Sequence, residues 1–385
     1  MSKKPKTVII IPTYNERENI QKLVPKILEV TRPIKNWTVE ILVVDDTSPD
    51  KTYEAVKAMQ KKYAELKLLV NPEKAGLGGA YKKGMAEAFG KLAADVIFEF
   101  DADFSHDPQK IPEFLKKIDE GYDFVIGGRY KDGGSIDPNW PLIRKFYSVV
   151  GNMVIMTVLT DFRIRDWTSG YRAIRRKVYE AIIPEMEGER FSGYTWQIGL
   201  LHKAVRGGFK IVEVPIQFID RKIGESKLGS EYIKNTLLYI FQVRWEEIIN
   251  HRLIKFGVVG GIGFVLQFVV FNLLRTMMAD VIATPISTEI AIISNFILNN
   301  MWTFKEKKIS GGKIMPQFIK FNVASLGSIV LQMVAVAVGI KLTPDLRIWL
   351  IDAGNFYLAI GIILGLVWNY FAYNTFVWKT GKKKS

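Results

Sequence analysis

The sequence predicts two parts of different class: an α/β domain on a mostly parallel, doubly wound sheet, then an all-α domain of four transmembrane helices. Three observations predict this. Before about Arg252, short β-branched runs alternate with helical patterns; after it, long apolar runs alternate with short polar connectors; and the apolar part contains an internal repeat. Apolar residues at 48% together with a net charge of +14 in 385 residues suit such a segregated chain better than one soluble globule.

Composition excludes several chemistries. With no Cys there is no disulfide, thiolate nucleophile or Cys-ligated zinc. The only histidines, His106, His202 and His251, stand in no metal-ligand spacing, which argues against zinc. Many lysines flank apolar spans and no nucleic-acid motif is present, so the basic excess points to an anionic membrane surface rather than nucleic acid. Met1 to Lys6 is polar and leads straight into a strand, so no signal peptide is expected.

Taken in order, Thr7-Val8-Ile9-Ile10-Ile11-Pro12 reads as a strand buried on both faces, followed by polar residues through Asn19 and a helical pattern at Leu23, Ile27 and Leu28. Val39 to Val44 repeats the theme and stops at Asp45-Asp46-Thr47-Ser48-Pro49-Asp50, which doubles as a helix N-cap region. Leu66 to Val70 ends in a loop through Lys74, where Gly76-Leu77-Gly78-Gly79 is a weak phosphate-loop pattern or a helix-entry loop. A fourth strand from Val96 ends in Asp101-Ala102-Asp103, and Tyr122 to Arg129 is a fifth. Strands alternating with helices imply a mostly parallel sheet, and ligands then bind beyond the carboxyl ends of its strands. The turns at 14–19, 45–50, 74–79 and 101–108 all fall at that edge. Neither G-x-G-x-x-G after the first strand nor G-x-x-x-x-G-K-[ST] anywhere is present. Asp101 and Asp103, at i and i+2 on a strand end, are expected to send both carboxylates to one side. Two hard oxygen ligands there suit Mg²⁺ or Mn²⁺ carried on substrate phosphates. The triplet alone also fits a solvated turn; beside three other loops with carboxylates, a lysine and glycines it reads as a nucleotide-diphosphate site.

Pro12-Thr13-Tyr14-Asn15-Glu16, Val44-Asp45-Asp46, Lys74-Ala75-Gly76 and Asp101-Ala102-Asp103, in this order, resemble a family 2 glycosyltransferase of the Rossmann-like GT-A fold. Gly127-Gly128-Arg129-Tyr130, Asp166-Trp167-Thr168-Ser169-Gly170-Tyr171-Arg172-Ala173 and Gly224-Glu225-Ser226-Lys227-Leu228 resemble its dolichol-phosphate mannose synthase branch. The resemblance implies that Pro12, Tyr14, Glu16, Val44 and Asp46 hold guanosine, and that Lys74, Asp101, Ala102 and Asp103 hold the diphosphate and its metal. Ser105 stands where some members place Gln, and joins Asp101 and Asp103 in the expected metal set. The implied reaction carries mannose from GDP-mannose to dolichyl or polyprenyl phosphate, inverting the anomeric centre to give β-mannosyl-phosphoryl-dolichol.

An acceptor phosphate approaching a diphosphate needs cations. Arg129, which follows the fifth strand, and Arg144 are the candidates, with Ser148 as a hydroxyl donor and Arg221 and Lys227 on a loop that Gly224 makes flexible. Asp101, Asp103 and Arg129 form the expected catalytic set. No strong general base is required, so His106 is read as shaping the metal loop. Residues 142–160 read first as a helix packed on the core, with a platform at the membrane interface as the alternative.

The expected boundaries are 1–230 for the catalytic domain, 231–252 for an interfacial helix or linker, and 253–385 for the membrane domain, with spans at about 255–275, 285–304, 317–340 and 353–377. Lys255-Phe256 through Gln267 recurs as Lys320-Phe321 through Gln332, and Asn295-Phe296 with Asn300 recurs as Asn369-Tyr370 with Asn374. This unit resembles the GtrA-like membrane domain, whose role is read as anchoring, with movement of the glycolipid as the alternative. Lysines at 305–313 and at the C-terminus place those sides and the catalytic domain in the cytoplasm, the chain being multi-pass in the cell membrane. Membrane lipids are expected partners; no protein partner is. The competing readings are another donor such as UDP-glucose, and a lipid-linked-sugar flippase whose soluble domain only binds ligand.

Overall fold

A computed structural model of the chain describes residues 4–186, 194–219, 230–343, 347–348 and 351–378. The chain divides into two compact units, Met1–Arg244 and Trp245–Ser385.

The first unit opens with β1 (Lys6–Thr13), α1 (Arg17–Thr31), β2 (Thr38–Asp45), α2 (Thr52–Gln60), β3 (Leu66–Val70), α3 (Gly76–Phe89) and β4 (Val96–Glu99). It continues through α4 (Ile111–Asp119), β5 (Phe124–Gly128), α5 (Leu142–Leu159), β6 (Arg172–Arg175), α6 (Arg176–Ile182), α7 (Tyr194–Arg206) and β7 (Ile211–Pro215) into α8 (Ser230–Asn250). The sheet runs β3-β2-β1-β4-β6-β5-β7. Its neighbours are parallel except at β6, which is antiparallel to both β4 and β5. The α/β class with a mostly parallel sheet is therefore as the sequence predicts.

Alternate residues of β1 feed two cores. Val8 and Ile10 join Leu42, Val44 and Ile97 on one face, while Ile9 and Ile11 join Ile41, Val43 and Phe98 on the other. A run with no polar position suits only a strand covered on both sides. Thr13, Asp45 and Val70 pair in a row, so β1, β2 and β3 end together and deliver their loops to one edge.

Two strands escape the sequence pattern. β6 is Arg172-Ala173-Ile174-Arg175, short and flanked by arginines, and its Arg172 is wholly buried. β7, Ile211-Val212-Glu213-Val214-Pro215, carries a buried glutamate and an edge proline. Both contradict the expectation that buried strands read as apolar runs.

The second unit holds α9 (Arg252–Leu274), α10 (Asp280–Leu298), α11 (Ile314–Leu342) and α12 (Ala353–Ala372). α10 runs into a π-helical turn at Asn299–Thr303, and α12 into one at Tyr373–Val377. The two turns stand in the same register as the repeated Asn300 and Asn374. The residues that close them, Phe304 and Trp378, stack at 4.5 Å and 13°. Among the described residues, three helical stretches are long and apolar enough to cross a membrane: Arg252–Leu274, Gly311–Leu331 and, in the first unit, Leu142–Leu159.

Candidate functional site

The loops after β1 and β2 are stitched by their own polar side chains. Asn15, held at φ 60°, donates its N–H to Ser48 Oγ at 3.0 Å, and Arg17 N–H donates to Asp50 at 3.0 Å. Glu16 accepts from Asn19 Nδ2 at 2.7 Å. Asp45 is saturated by the Thr13 hydroxyl and by both donors of Ser48, so it fixes the turn.

Asp46 reaches the next loop. Its carboxylate accepts from Asn71 Nδ2 at 2.6 Å and from the backbone N–H groups of Ala75 and Gly76 at 3.0 and 3.1 Å. A carboxylate at the N-terminus of α3 also complements the helix dipole. Gly76, at φ +69°, makes that entry in a conformation that favours glycine, so the glycine run reads as helix entry. Lys74 Nζ lies 3.9 Å from the centre of the Tyr14 ring. Pro12 and Val44 are register partners in adjacent strands. Tyr14, Asp46, Lys74, Pro12 and Val44 are thus gathered along one stretch of the sheet edge, with Glu16 on the first of its loops.

β4 ends at Glu99, so Asp101, Ala102 and Asp103 lie in a turn beyond it rather than on the strand. The alternation of a strand therefore does not place the two carboxylates, and the turn is held by other means. Asp103 accepts from Ser105 N–H at 3.1 Å across Phe104, whose φ is +65°. Asp101 is clamped at several atoms. Its N–H donates to His106 Nδ1 at 3.0 Å, and Tyr81 donates its phenol proton to Asp101 Oδ1 at 3.3 Å. With Nδ1 accepting, the proton of the neutral imidazole sits on Nε2, which faces Asp101 Oδ2 at 3.6 Å. The ring is buried and stacked on Tyr171 at 4.8 Å. Burial holds the His106 pKa below the ordinary histidine value, against the charges of Asp101 and Asp103. Burial likewise pushes the Tyr81 phenol well above its usual value, and the charge of Asp101 pushes the same way. Gly170 keeps room here: a Cβ on it would stand 2.8 Å from Gln197 Nε2.

Ser105 Oγ is buried and has no hydrogen-bond partner. Two carboxylates and an unpartnered hydroxyl are hard oxygen donors and fit Mg²⁺ or Mn²⁺. Among the described residues no three His, Cys, Asp or Glu stand close enough to hold a metal by themselves. Such an ion would take further ligands from a substrate, as Mg²⁺ commonly does from phosphates.

A second network follows β5. Arg129 forms a two-pronged pair with Asp166, Nε to Oδ2 and Nη2 to Oδ1, both at 2.7 Å. Its backbone N–H donates to the same carboxylate, and Nη2 also reaches Thr168 Oγ1 at 2.7 Å. Asp166 is wholly buried; burial alone would raise its pKa, but the charge and hydrogen bonds of Arg129 outweigh this and hold it below the usual carboxylate value. Asn152 of α5 joins through Thr168 at 3.3 Å, and one turn earlier Ser148 Oγ lies 2.6 Å from the Tyr130 hydroxyl. Arg144, one turn earlier again, lies over the Trp140 ring at 4.0 Å. Arg129 and Ser148 are therefore brought into one network, with Arg144 on the same face of α5. Asp166, Thr168, Asn152 and Tyr130 were given no individual role from the sequence; only the runs Gly127–Tyr130 and Asp166–Ala173 flagged that region. Arg221, Gly224 and Lys227 lie outside the described residues.

α5 corrects the core-packing expectation. Only Asn152, Ile155 and Leu159 are buried, while Leu142, Ile143, Phe146, Tyr147 and Met153 are exposed, Leu142 at 82%. The network consumes one polar stripe of the helix and leaves the opposite, apolar face without cover.

The description Glycosyl transferase family 2 matches residues 8–183, and GtrA/DPMS, transmembrane domain, matches residues 255–378. A dolichol-phosphate mannosyltransferase of Pyrococcus furiosus is 36% identical over 338 residues, which cover 86% of this chain and 89% of the relative. A polyprenol monophosphomannose synthase of Mycolicibacterium smegmatis is 37% identical over 236 residues, 61% of this chain and 85% of the relative. Among solved structures, glucosyl-3-phosphoglycerate synthase from Mycobacterium tuberculosis, in complex with phosphoglyceric acid, aligns over 62% of this chain and 80% of its own, with 17% identity and a TM-score of 0.46.

Proposed function

The chain belongs to glycosyl transferase family 2 and carries the GtrA/DPMS transmembrane domain, and from that premise we propose that it transfers mannose from GDP-mannose to the phosphate of dolichol or a related polyprenol. The observation that carries this reading is the match to the Pyrococcus furiosus relative, which runs through both units at 36% identity. The site chemistry is compatible with it.

Pro12, Tyr14, Glu16, Val44 and Asp46 would seat the guanosine, with Lys74 and the Asp101–Asp103 turn beside the diphosphate. A divalent ion held by Asp101, Asp103 and Ser105 would supply Lewis-acid stabilisation of charge on the leaving oxygens. The clamp on Asp101 fixes that carboxylate before substrate arrives, so little reorganisation is left for the reaction itself. The acceptor is a phosphomonoester with a second pKa of about 6, already largely ionised near neutral pH. No strong base is then needed, in keeping with a His106 whose two ring nitrogens both face Asp101.

Arg129 and Asp166 together carry no net charge. Arg129 therefore offers the acceptor phosphate a fixed direction, and Arg144 would add a second guanidinium, with the Ser148 hydroxyl one turn from it on the polar stripe of α5. Attack from the face opposite the diphosphate inverts the anomeric carbon and turns an α-linked donor into a β-linked product. The open apolar face of α5 suits contact with the membrane surface on which a lipid phosphate is presented. Lysines at 305–313 support a reading in which that connector and the catalytic unit are on the cytoplasmic side of the cell membrane.

The test is incubation of the purified chain with a panel of labelled nucleotide sugars, a polyprenyl phosphate and Mg²⁺ or Mn²⁺, followed by lipid extraction. Label from GDP-mannose is expected; label from UDP-glucose alone would replace the sugar assignment, and no label from any donor would remove the synthase reading. Asp103→Ala is expected to lower transfer by about a hundred- to a thousandfold without unfolding the chain; unchanged turnover would take it out of the metal site.

A further inference from the structure

Lys255 is the one positively charged side chain of the second unit that is buried, at 7% exposure, among the described residues. It sits on the inward face of α9 with Phe256, Val259 and Gly263. Its ammonium makes no hydrogen bond or ion pair with any described residue; it lies 5.7 Å from the centre of the Trp302 ring. Arg252, one turn earlier, is already paired with Glu306. Its repeat equivalent, Lys320 on α11, is exposed. Burial of Lys255 is thus particular to its place rather than to the repeated pattern.

The turn that carries Trp302 is also unfinished. Trp302 belongs to the π-helical turn after α10, against which α9 packs. The same turn carries Asn299 and Thr303, 2% and 3% exposed, whose Oδ1 and Oγ1 have no hydrogen-bond partner among the described residues. π-helical turns inside helices recur at functional sites. A buried cation in a membrane unit normally has a counter-charge, and here none of the described residues supplies one. Lys255 is the fourth residue of α9 and lies beside a half-exposed Trp and a lysine-rich connector. Such residues mark headgroup depth, where Trp and basic side chains concentrate. The missing partner at that depth is a phosphate. A headgroup with a free hydroxyl beside its phosphate would also give Asn299 Oδ1 a donor, while Thr303 donates to a phosphate oxygen.

We propose that Lys255, Trp302 and Thr303, with Asn299, form a binding site in the membrane unit for the hydroxyl-bearing phosphate headgroup of a lipid. The site lies wholly within the second unit, and the proposal does not depend on which sugar the first unit transfers.

The experiment measures the thermal unfolding of the detergent-purified full chain with added phosphatidylglycerol, with phosphatidylcholine, and with free glycerol phosphate. Phosphatidylglycerol is expected to raise Tm more than phosphatidylcholine does, and free glycerol phosphate is expected to have little effect. Lys255→Met should abolish the extra shift while raising the lipid-free Tm by about 3 °C, because an unpaired buried cation is gone. Lys255→Arg should keep the shift, Thr303→Val should reduce it, and Lys320→Met should leave it alone. Equal shifts with the two lipids, or a phosphatidylglycerol shift that survives Lys255→Met, would overturn the site. A full shift with free glycerol phosphate would overturn its assignment to a lipid.

Discussion

The two units treat buried charge in opposite ways. In the first, the buried arginines among the described residues come matched: Arg129 is pinned by Asp166 and Arg172 lies within 3.7 Å of Glu99, while buried Asp123 meets Lys177 at 2.7 Å. In the second, Lys255 is buried near a ring, with no carboxylate paired to it among the described residues. A matched pair costs desolvation on both sides and returns a fixed geometry, which is what a site positioning two phosphates needs. An unmatched cation costs stability with no such return from the protein, so its persistence points to a partner from outside. The first unit is built to hold atoms still, the second to receive something.

That contrast can be broken most forcefully at Asp166. Asp166→Ala leaves the Arg129 guanidinium buried beside Thr168 without its carboxylate, and the expected loss is about 3–5 kcal/mol of stability. Chemical denaturation of the detergent-purified chain measures it, beside the gain expected for Lys255→Met. A loss below about 1 kcal/mol would mean that the pair is screened by solvent and that the two units do not differ in kind.

The same pair answers to pH, with a part of that effect. The folded pKa of Asp166 is lowered from its unfolded value of about 3.9. Its contribution is therefore complete above about pH 3.9 and is lost as pH falls through the lower, folded value. Asp166→Asn should flatten this acid limb of the stability curve and leave the neutral limb parallel to that of the parent chain. An unchanged acid limb would assign the acid sensitivity to other carboxylates.

How much of this could be read from residues alone depends on the range of the contact. β1, β2 and β3 were legible because each is an apolar run ending in polar residues, and the sheet class followed. The Asp101–Asp103 turn was legible because its chemistry is local. β6 was not, since a strand that buries Arg172 breaks the rule by which buried strands are found; its arginine is satisfied by carbonyls of Ser169, Gln197 and Trp167 that no local pattern brings together. The pairing of Asp166 with Arg129 was not legible for the same reason, since it spans 37 residues. α5 was misjudged because apolar content alone does not say whether protein or lipid covers a face. The repeat in the second unit was legible, but the solitary burial of Lys255 was not: its equivalent, Lys320, shares the Lys-Phe-x-Val pattern and lies exposed.

The finest test of the contrast concerns one hydroxyl. Tyr81 is wholly buried and donates to Asp101 Oδ1 at 3.3 Å, while His106 accepts from the Asp101 N–H. Tyr81→Phe removes one neutral hydrogen bond from a closely packed ring and should cost about 1 kcal/mol of stability. If the clamp exists to hold Asp101 for a metal, the loss should surface in metal dependence more than in turnover. The Mn²⁺ concentration for half-maximal transfer should rise by up to about tenfold, the equivalent of 1.4 kcal/mol, while kcat at saturating Mn²⁺ changes little. A variant that lost stability and left the Mn²⁺ dependence untouched would make Tyr81 a packing residue. The matched groups of the first unit would then serve the fold and not the reaction.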